Sequence, residues 1–176
     1  MEIRCIVLGA TGVGKTALVN SVRNEIEKRT TSTIGVDYAV YKKENPCVKV
    51  HIWDTSGSKR FEYVIDIFLK KVDVIIFVYN CCRSFTYLIQ KLKEVKRKGF
   101  GKRFCIVSYS HPHLGRAIAR KYGYLFVNIT SESQKLQVFN MLAAFCYEEN
   151  KRCHFLSTKV DYPKERDSGY CWFSFC

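Results

Sequence analysis

No apolar run in the 176 residues reaches the roughly 20 consecutive apolar positions that a helix needs to cross a bilayer, which excludes a helical membrane span. The apolar patch near the N-terminus is short and runs straight into a glycine-rich loop, so no signal peptide is expected. The nine cysteines include no C-x-x-C pair, and Cys5 and Cys105 sit inside apolar runs, where a thiol packs as a small hydrophobe. Their spacing argues for reduced thiols in a cytosolic protein over a disulfide framework. No internal repeat is present. The length suits one domain with a full core, and 47% hydrophobic with 26% charged residues reads as soluble and globular.

Acidic residues are the scarce charge, 16 against 29 basic ones, for a net +13. That balance suits an anionic membrane, nucleic acid, or simple solubility. Much of the excess lies in Lys91, Lys93, Lys96, Arg97, Lys98, Lys102 and Arg103, opposed there by Glu94 alone. Phe85, Leu88, Ile89, Leu92 and Val95 form an inward stripe, so the cations read as the solvated face of one helix. No basic platform interleaved with aromatics accompanies them, and nucleic acid is not expected as a partner.

What the sequence does have is concentrated near its start. Gly9, Gly14, Lys15 and Thr16 fall on the pattern G-x-x-x-x-G-K-[ST]. An apolar run over 3–8 predicts a buried strand before the pattern. Ala17, Leu18, Val22 and Ile26 predict a helix over 15–26 after it. In that order the backbone at Gly9, Thr11, Gly12, Val13 and Gly14 can curl so that successive N–H groups converge on one anion, and the helix N-terminus adds its dipole. Lys15 supplies a point charge for the outer phosphates, and the Thr16 hydroxyl a ligand for Mg²⁺. The alternative is a glycine-rich turn with a solvated lysine.

Downstream, strands are expected at 39–41 and 48–52, the second alternating cleanly and paired antiparallel with the first. Asp54 follows that strand with Gly57 close behind, the place for a carboxylate aimed at the metal. A helix over 61–71, a strand over 74–79, the basic helix ending at Gly99, a strand over 103–109, a helix over 113–122 and a strand over 124–128 follow. The last helix, over 134–149, carries Leu136, Phe139, Leu142, Ala143 and Cys146 on one face. Alternating strands and helices give an α/β domain, a mostly parallel six-stranded sheet with helices on both faces. The domain is expected over 1–150, with 151–176 a flexible tail.

With these residues in place, the chain resembles a Ras-superfamily small GTPase, closest to the Rab family. Residues 9–16 resemble the family's phosphate loop. Thr33, Ile34, Gly35, Val36, Asp37 and Tyr38 resemble the first switch, T-I-G-V-D-F. Trp53, Asp54, Thr55, Ser56 and Gly57, then Arg60 and Phe61, resemble the second, W-D-T-A-G-Q-E-R-F. Val78, Tyr79 and Asn80, with Ser84 and Phe85, resemble V-Y-D…S-F. The resemblance covers roughly residues 1–150. It implies a P-loop NTPase of the small G-protein fold that takes GTP and GDP with Mg²⁺, docks protein effectors and exchange factors through its switch loops, and works in vesicle traffic, in the cytoplasm or peripherally on intracellular membranes. It further implies that Thr33 reaches Mg²⁺ and senses the γ-phosphate, that Asp54 holds Mg²⁺ through water, and that the Gly57 amide touches the γ-phosphate.

The chain departs from the family at several sites. Ser58 stands where the family has its water-orienting Gln, and a serine is too short for that task, so hydrolysis is expected to be slow. Where the family reads guanine with N-K-x-D, this chain has Ser110, His111, Pro112 and His113, and an imidazole cannot make the two-point carboxylate contact. Thr130, Ser131 and Glu132 stand for S-A-K, and Ile26 for the aromatic that stacks on the base. The tail's Cys171 and Cys176 lack the paired spacing that is prenylated in Rab chains; Trp172, Phe173 and Phe175 suit a weak interfacial membrane contact or a disordered tail. Two other functions remain: a pseudo-GTPase interaction module with weak or non-guanine nucleotide binding, and a small P-loop kinase, for which no acceptor-site motif is found.

Overall fold

The computed structural model describes residues 1–23, 31–100 and 103–157, with 152–157 by backbone alone. Six strands, β1 (Glu2–Leu8), β2 (Val36–Lys43), β3 (Val48–Thr55), β4 (Val74–Tyr79), β5 (Arg103–Ser108) and β6 (Leu125–Asn128), form one sheet in the order β2-β3-β1-β4-β5-β6. β2 runs antiparallel to β3 and every other pair is parallel. This is the α/β architecture expected from the alternation of elements. The helices are α1 (Lys15–Val19), α2 (Glu62–Leu69), α3 (Cys82–Arg97), α4 (Pro112–Tyr122) and α5 (Ser133–Ser157).

The two-residue period of β1 divides its side chains between two cores. Ile3, Cys5 and Val7 pack with Leu18 of α1 and Phe139 of α5. Ile6 and Leu8 pack with Ile65 of α2, Leu88 of α3 and Ala119 of α4. Both faces of the sheet are therefore covered, which is why β4 reads as an unbroken apolar run. Among the described residues, no helix is long and apolar enough to cross a membrane. Cys5, Cys105 and Cys146 are free and buried.

Three local expectations need correction. The helix expected over 15–26 stops at Val19, with a 3-10 turn at Asn20–Val22 and Arg23 extended. Ser21 donates its hydroxyl to the Leu18 carbonyl at 2.7 Å, a local bond that competes with continuing the helix. The Arg23 guanidinium is drawn to Asp37 and the Tyr38 carbonyl on β2. Ile26 lies outside the described residues.

In α5, Leu136 is 37% exposed, and Lys135 holds the inward line instead, seven positions before Leu142 and so nearly two full turns away. The basic face of α3 is likewise narrower than its composition suggests. Lys91 is buried, donating to Glu94 at 3.0 Å and lying 3.6 Å from Glu62. Lys98 bonds Asp66 at 2.7 Å and Glu94 at 2.6 Å. Glu94 is thus not the lone counter-charge, because α2 supplies two more carboxylates. Gly99 closes α3 as expected, with its N–H on the Lys96 carbonyl at 3.0 Å. Lys102, Cys171, Cys176 and the aromatics of the tail lie outside the described residues, and α5 continues past 150 to Ser157.

Candidate functional site

The sheet order turns at β1, with β3 on one side and β4 on the other. In open α/β sheets the crevice at the carboxyl ends of the strands at such a point is where ligands bind. Residues 9–16 leave β1 there. Gly14 caps α1 with φ 97°, a left-handed conformation that disfavours any side chain, and its carbonyl accepts the Leu18 N–H at 2.9 Å. Asn80, just past β4, reaches back to the Gly12 carbonyl at 3.4 Å.

Lys15 is almost wholly buried. Its ammonium donates to the Gly9 and Ala10 carbonyls, both at 2.9 Å, so the charge lies folded along the loop. Burial pulls its pKa down to about 8, partly offset by the nearby Asp54 carboxylate. A buried cation held only by carbonyls is well placed to exchange them for phosphate oxygens.

Thr16, Thr33 and Asp54 come from three separate segments and meet beside this lysine. Thr16 Oγ1 donates to Asp54 Oδ2 at 2.7 Å and Thr33 Oγ1 to the same oxygen at 3.1 Å, with the two hydroxyl oxygens 2.9 Å apart. Asp54 is fully buried, and its Oδ1 has no hydrogen-bond partner. Burial raises the Asp54 pKa, while the two threonine hydroxyls oppose the rise. A buried carboxylate with one orphaned oxygen is costly, and hard oxygen donors grouped this way fit a magnesium ion. The three residues expected at the metal are brought together.

The segment after β3 closes over the same loop. An atom placed at the Cβ position of Gly57 would lie 2.3 Å from the Thr11 amide nitrogen and 2.6 Å from the Ala10 carbonyl carbon, so only glycine allows this approach. Ser56 donates its N–H to the Gly35 carbonyl at 2.8 Å, tying the segment after β3 to the one before β2. Ser58 follows at the start of a 3-10 turn, its N–H on Ser56 Oγ at 3.3 Å and its carbonyl accepting from Phe61 at 3.1 Å.

The opposite end of the loop is built differently. Ser110 donates its hydroxyl to the Asn80 carbonyl, and the Ser110 carbonyl accepts from Ser108 Oγ at 2.6 Å. His111 is left-handed at φ 51°, its carbonyl taken by the Tyr79 hydroxyl at 2.9 Å, and its ring stands perpendicular to that of His113 at 6.1 Å. Tyr109 donates its hydroxyl to the Gly14 carbonyl at 3.2 Å, with its ring against Gly14. The Thr130 and Ser131 N–H groups both donate to Gln134 Oε1, at 2.6 and 3.2 Å. Ser110, His111 and His113 lie in the loop after β5, and Ser131 in the loop before α5.

Sequence reasoning overlooked Tyr109 and Gln134. Gln134 was within reach, since Ser131-x-x-Gln134 is the capping-box spacing that marks a helix start. Tyr109 gave no such signal. A tyrosine ending an apolar strand is ordinary, and only the fold brings it against Gly14, far away in the chain.

Residues 4–111 match the family described as Roc, Ras of Complex, Roc domain of DAPkinase. Among curated proteins, the chain is 31% identical over 87 residues to Ras-related protein Rab-11A of Dictyostelium discoideum, covering 48% of this chain and 41% of that one. It is 35% identical over 91 residues to Ras-related protein RABG3b of Arabidopsis thaliana, covering 49% and 45%. Ras-related protein Rab7 of Glycine max is also 35% identical over 91 residues, covering 49% and 44%. The matched stretch spans less than half the length of these relatives.

Proposed function

This chain belongs to the Ras superfamily of small GTPase domains, and on that footing we propose that it is a Rab-like switch binding a guanine nucleotide with Mg²⁺. The observation that carries the reading is the meeting of Thr16, Thr33 and Asp54 beside Lys15, because these oxygens come from the phosphate loop and from both switch segments. In this reading the loop amides of residues 9–14 and Lys15 hold the phosphates, and Thr16, Thr33 and Asp54 hold the metal. When bound, Mg²⁺ supplies neutralisation of phosphate charge. Thr33 and Gly57 then report the outer phosphate, since the Ser56–Gly35 bond couples the two segments that carry them.

Partners would meet the switch segments. Ile34 is 84% exposed, Tyr63 72%, Ile67 54% and Tyr38 48%, large apolar side chains carried by these segments, and the Tyr38 ring lies 6.0 Å from that of Trp53. Effectors and exchange factors are proposed to dock there. Work in vesicle traffic, and a cytoplasmic or peripheral membrane location, are proposed from the likeness to Rab proteins alone.

The test is thermal denaturation of nucleotide-stripped protein. Saturation at 100 times the dissociation constant adds about 2.7 kcal/mol, which for this size is a rise of roughly 5–10 °C with GDP or GTP plus Mg²⁺. Chelating the Mg²⁺ should remove most of it. An unchanged melting temperature with either nucleotide sinks the reading. Hydrolysis is proposed to be slow because Ser58 has no reach to hold a water. Ser58→Gln should speed single-turnover GTP hydrolysis by on the order of tenfold. An equal rate would place the limitation elsewhere in the site.

A further inference from the structure

The two ends of the phosphate loop differ in kind. At the metal end, polar groups converge and one carboxylate oxygen is left without a partner. At the far end, the Ser110 hydroxyl and the Thr130 and Ser131 amides are already engaged within the chain. The Thr130 and Ser131 amide hydrogens of the loop before α5 both go to one oxygen, Gln134 Oε1, which also accepts from Thr130 Oγ1 at 2.9 Å. The loop after β5 has no carboxylate, and its Ser110 is tied to Asn80. Between the two loops stands the Tyr109 ring, against Gly14 on one side and 6.0 Å from the Lys135 ammonium on the other. Lys135 is itself buried and bonded to Glu132 at 2.6 Å, while the Glu132 side chain is turned out to solvent.

We infer that this site takes its ligand by the phosphate chain and not by the base, with Tyr109 and Gln134 filling the room and the donors that a base would use. The ligand class is a Mg²⁺-bound diphosphate or triphosphate, whether a nucleoside phosphate of any base or an inorganic chain. The inference rests on the phosphate and metal site proposed above: a guanine nucleotide binds there, but by its phosphates, and so do other ligands that carry the same chain. A base carbonyl can compete for the Thr130 and Ser131 amides only by displacing Gln134. A purine amino group, being a donor, gains nothing there. Discrimination depends on leaving the wrong ligand's partners unsatisfied, and these amides are satisfied before any ligand arrives.

The experiment is calorimetric titration of the nucleotide-stripped full chain, in Mg²⁺, with GDP, ADP, CDP and inorganic pyrophosphate. The three nucleotides should bind within about threefold of one another, and pyrophosphate within about tenfold of GDP. Gln134→Ala frees two donors for a purine 6-carbonyl. It should move the GDP-to-ADP affinity ratio towards GDP by about tenfold, one to two ordinary hydrogen bonds. Gln134→Glu keeps an acceptor oxygen over the same amides and should leave the ratio unchanged, which also controls for the loss of the helix cap. GDP binding more than about thirtyfold tighter than ADP to the unaltered chain overturns the inference and leaves the phosphate and metal reading standing. Failure of all four ligands to bind overturns both. An unchanged ratio in Gln134→Ala overturns the role given to Gln134.

Discussion

Replacing Lys15 with methionine should make the nucleotide-free protein more stable and at the same time abolish its hold on phosphates. The buried ammonium carries a pKa lowered from the ordinary 10.5 to about 8, which corresponds to on the order of 3 kcal/mol of unfavourable burial near neutral pH. Against this, methionine leaves the Gly9 and Ala10 carbonyls without the lysine's two bonds, worth about 1 kcal/mol each. The balance is a gain of about 1 kcal/mol, or roughly 2–4 °C in melting temperature. Loss of two charge-assisted bonds to phosphate should weaken Mg²⁺–nucleotide binding by at least about 100-fold. The pH dependence has a definite sign. A lysine with a depressed folded pKa contributes stability that is present above 10.5 and lost as pH falls through about 8. The advantage of Lys15→Met over the unaltered protein should therefore narrow between those values. Denaturant melts of both proteins from pH 7 to 10.5 measure it. A variant less stable than its parent at pH 7 would contradict the account.

Gly57→Ala should act in the opposite direction on the free protein. The added methyl would meet the Thr11 nitrogen, the Ala10 carbonyl carbon and the Thr11 Cα at 2.3, 2.6 and 2.7 Å, all backbone atoms. No side chain can rotate to make room, so the segment after β3 must lift off the phosphate loop. Overpacking of this kind costs about 1–3 kcal/mol, roughly 2–12 °C in melting temperature. The lifted segment should also respond equally to GDP and GTP, because Gly57 no longer reaches the loop where the outer phosphate is held. A urea midpoint equal to that of the parent protein would show that the contact does not exist in solution.

The fold was legible in the sequence because two periods coexist in it. The unbroken apolar run of 74–79 points to a doubly covered strand, and the clean alternation of 48–52 to a half-buried one. The residues proposed to hold phosphate and metal were legible as a cluster for another reason. Lys15 and Thr16 open α1 one short loop after β1, and Asp54 sits at the end of β3, so chain position fixes space position. Thr33 needed the family resemblance, since it precedes β2 through a turn at Gly35 that no periodicity reveals. The misses share a physical cause. Lys91 and Lys135 are buried against carboxylates contributed in part by neighbouring turns and helices, and composition along one helix cannot show what the next one brings. Tyr109 depends on a contact with Gly14 that only the assembled sheet creates.

The ion-pair seam between α2 and α3 also bears on how the protein can move. Glu62 and Asp66 hold α2 to Lys91 and Lys98, and undocking α2 would cost each lysine one of its two carboxylates, leaving Glu94 to serve both. A rearrangement after β3 that undocked α2 would have to meet that cost. One confined to residues 56–61 would not. The protein is therefore built with a short hinge mounted on a fixed post, and the stroke available to any partner at Tyr63 and Ile67 is set by the slack in that hinge.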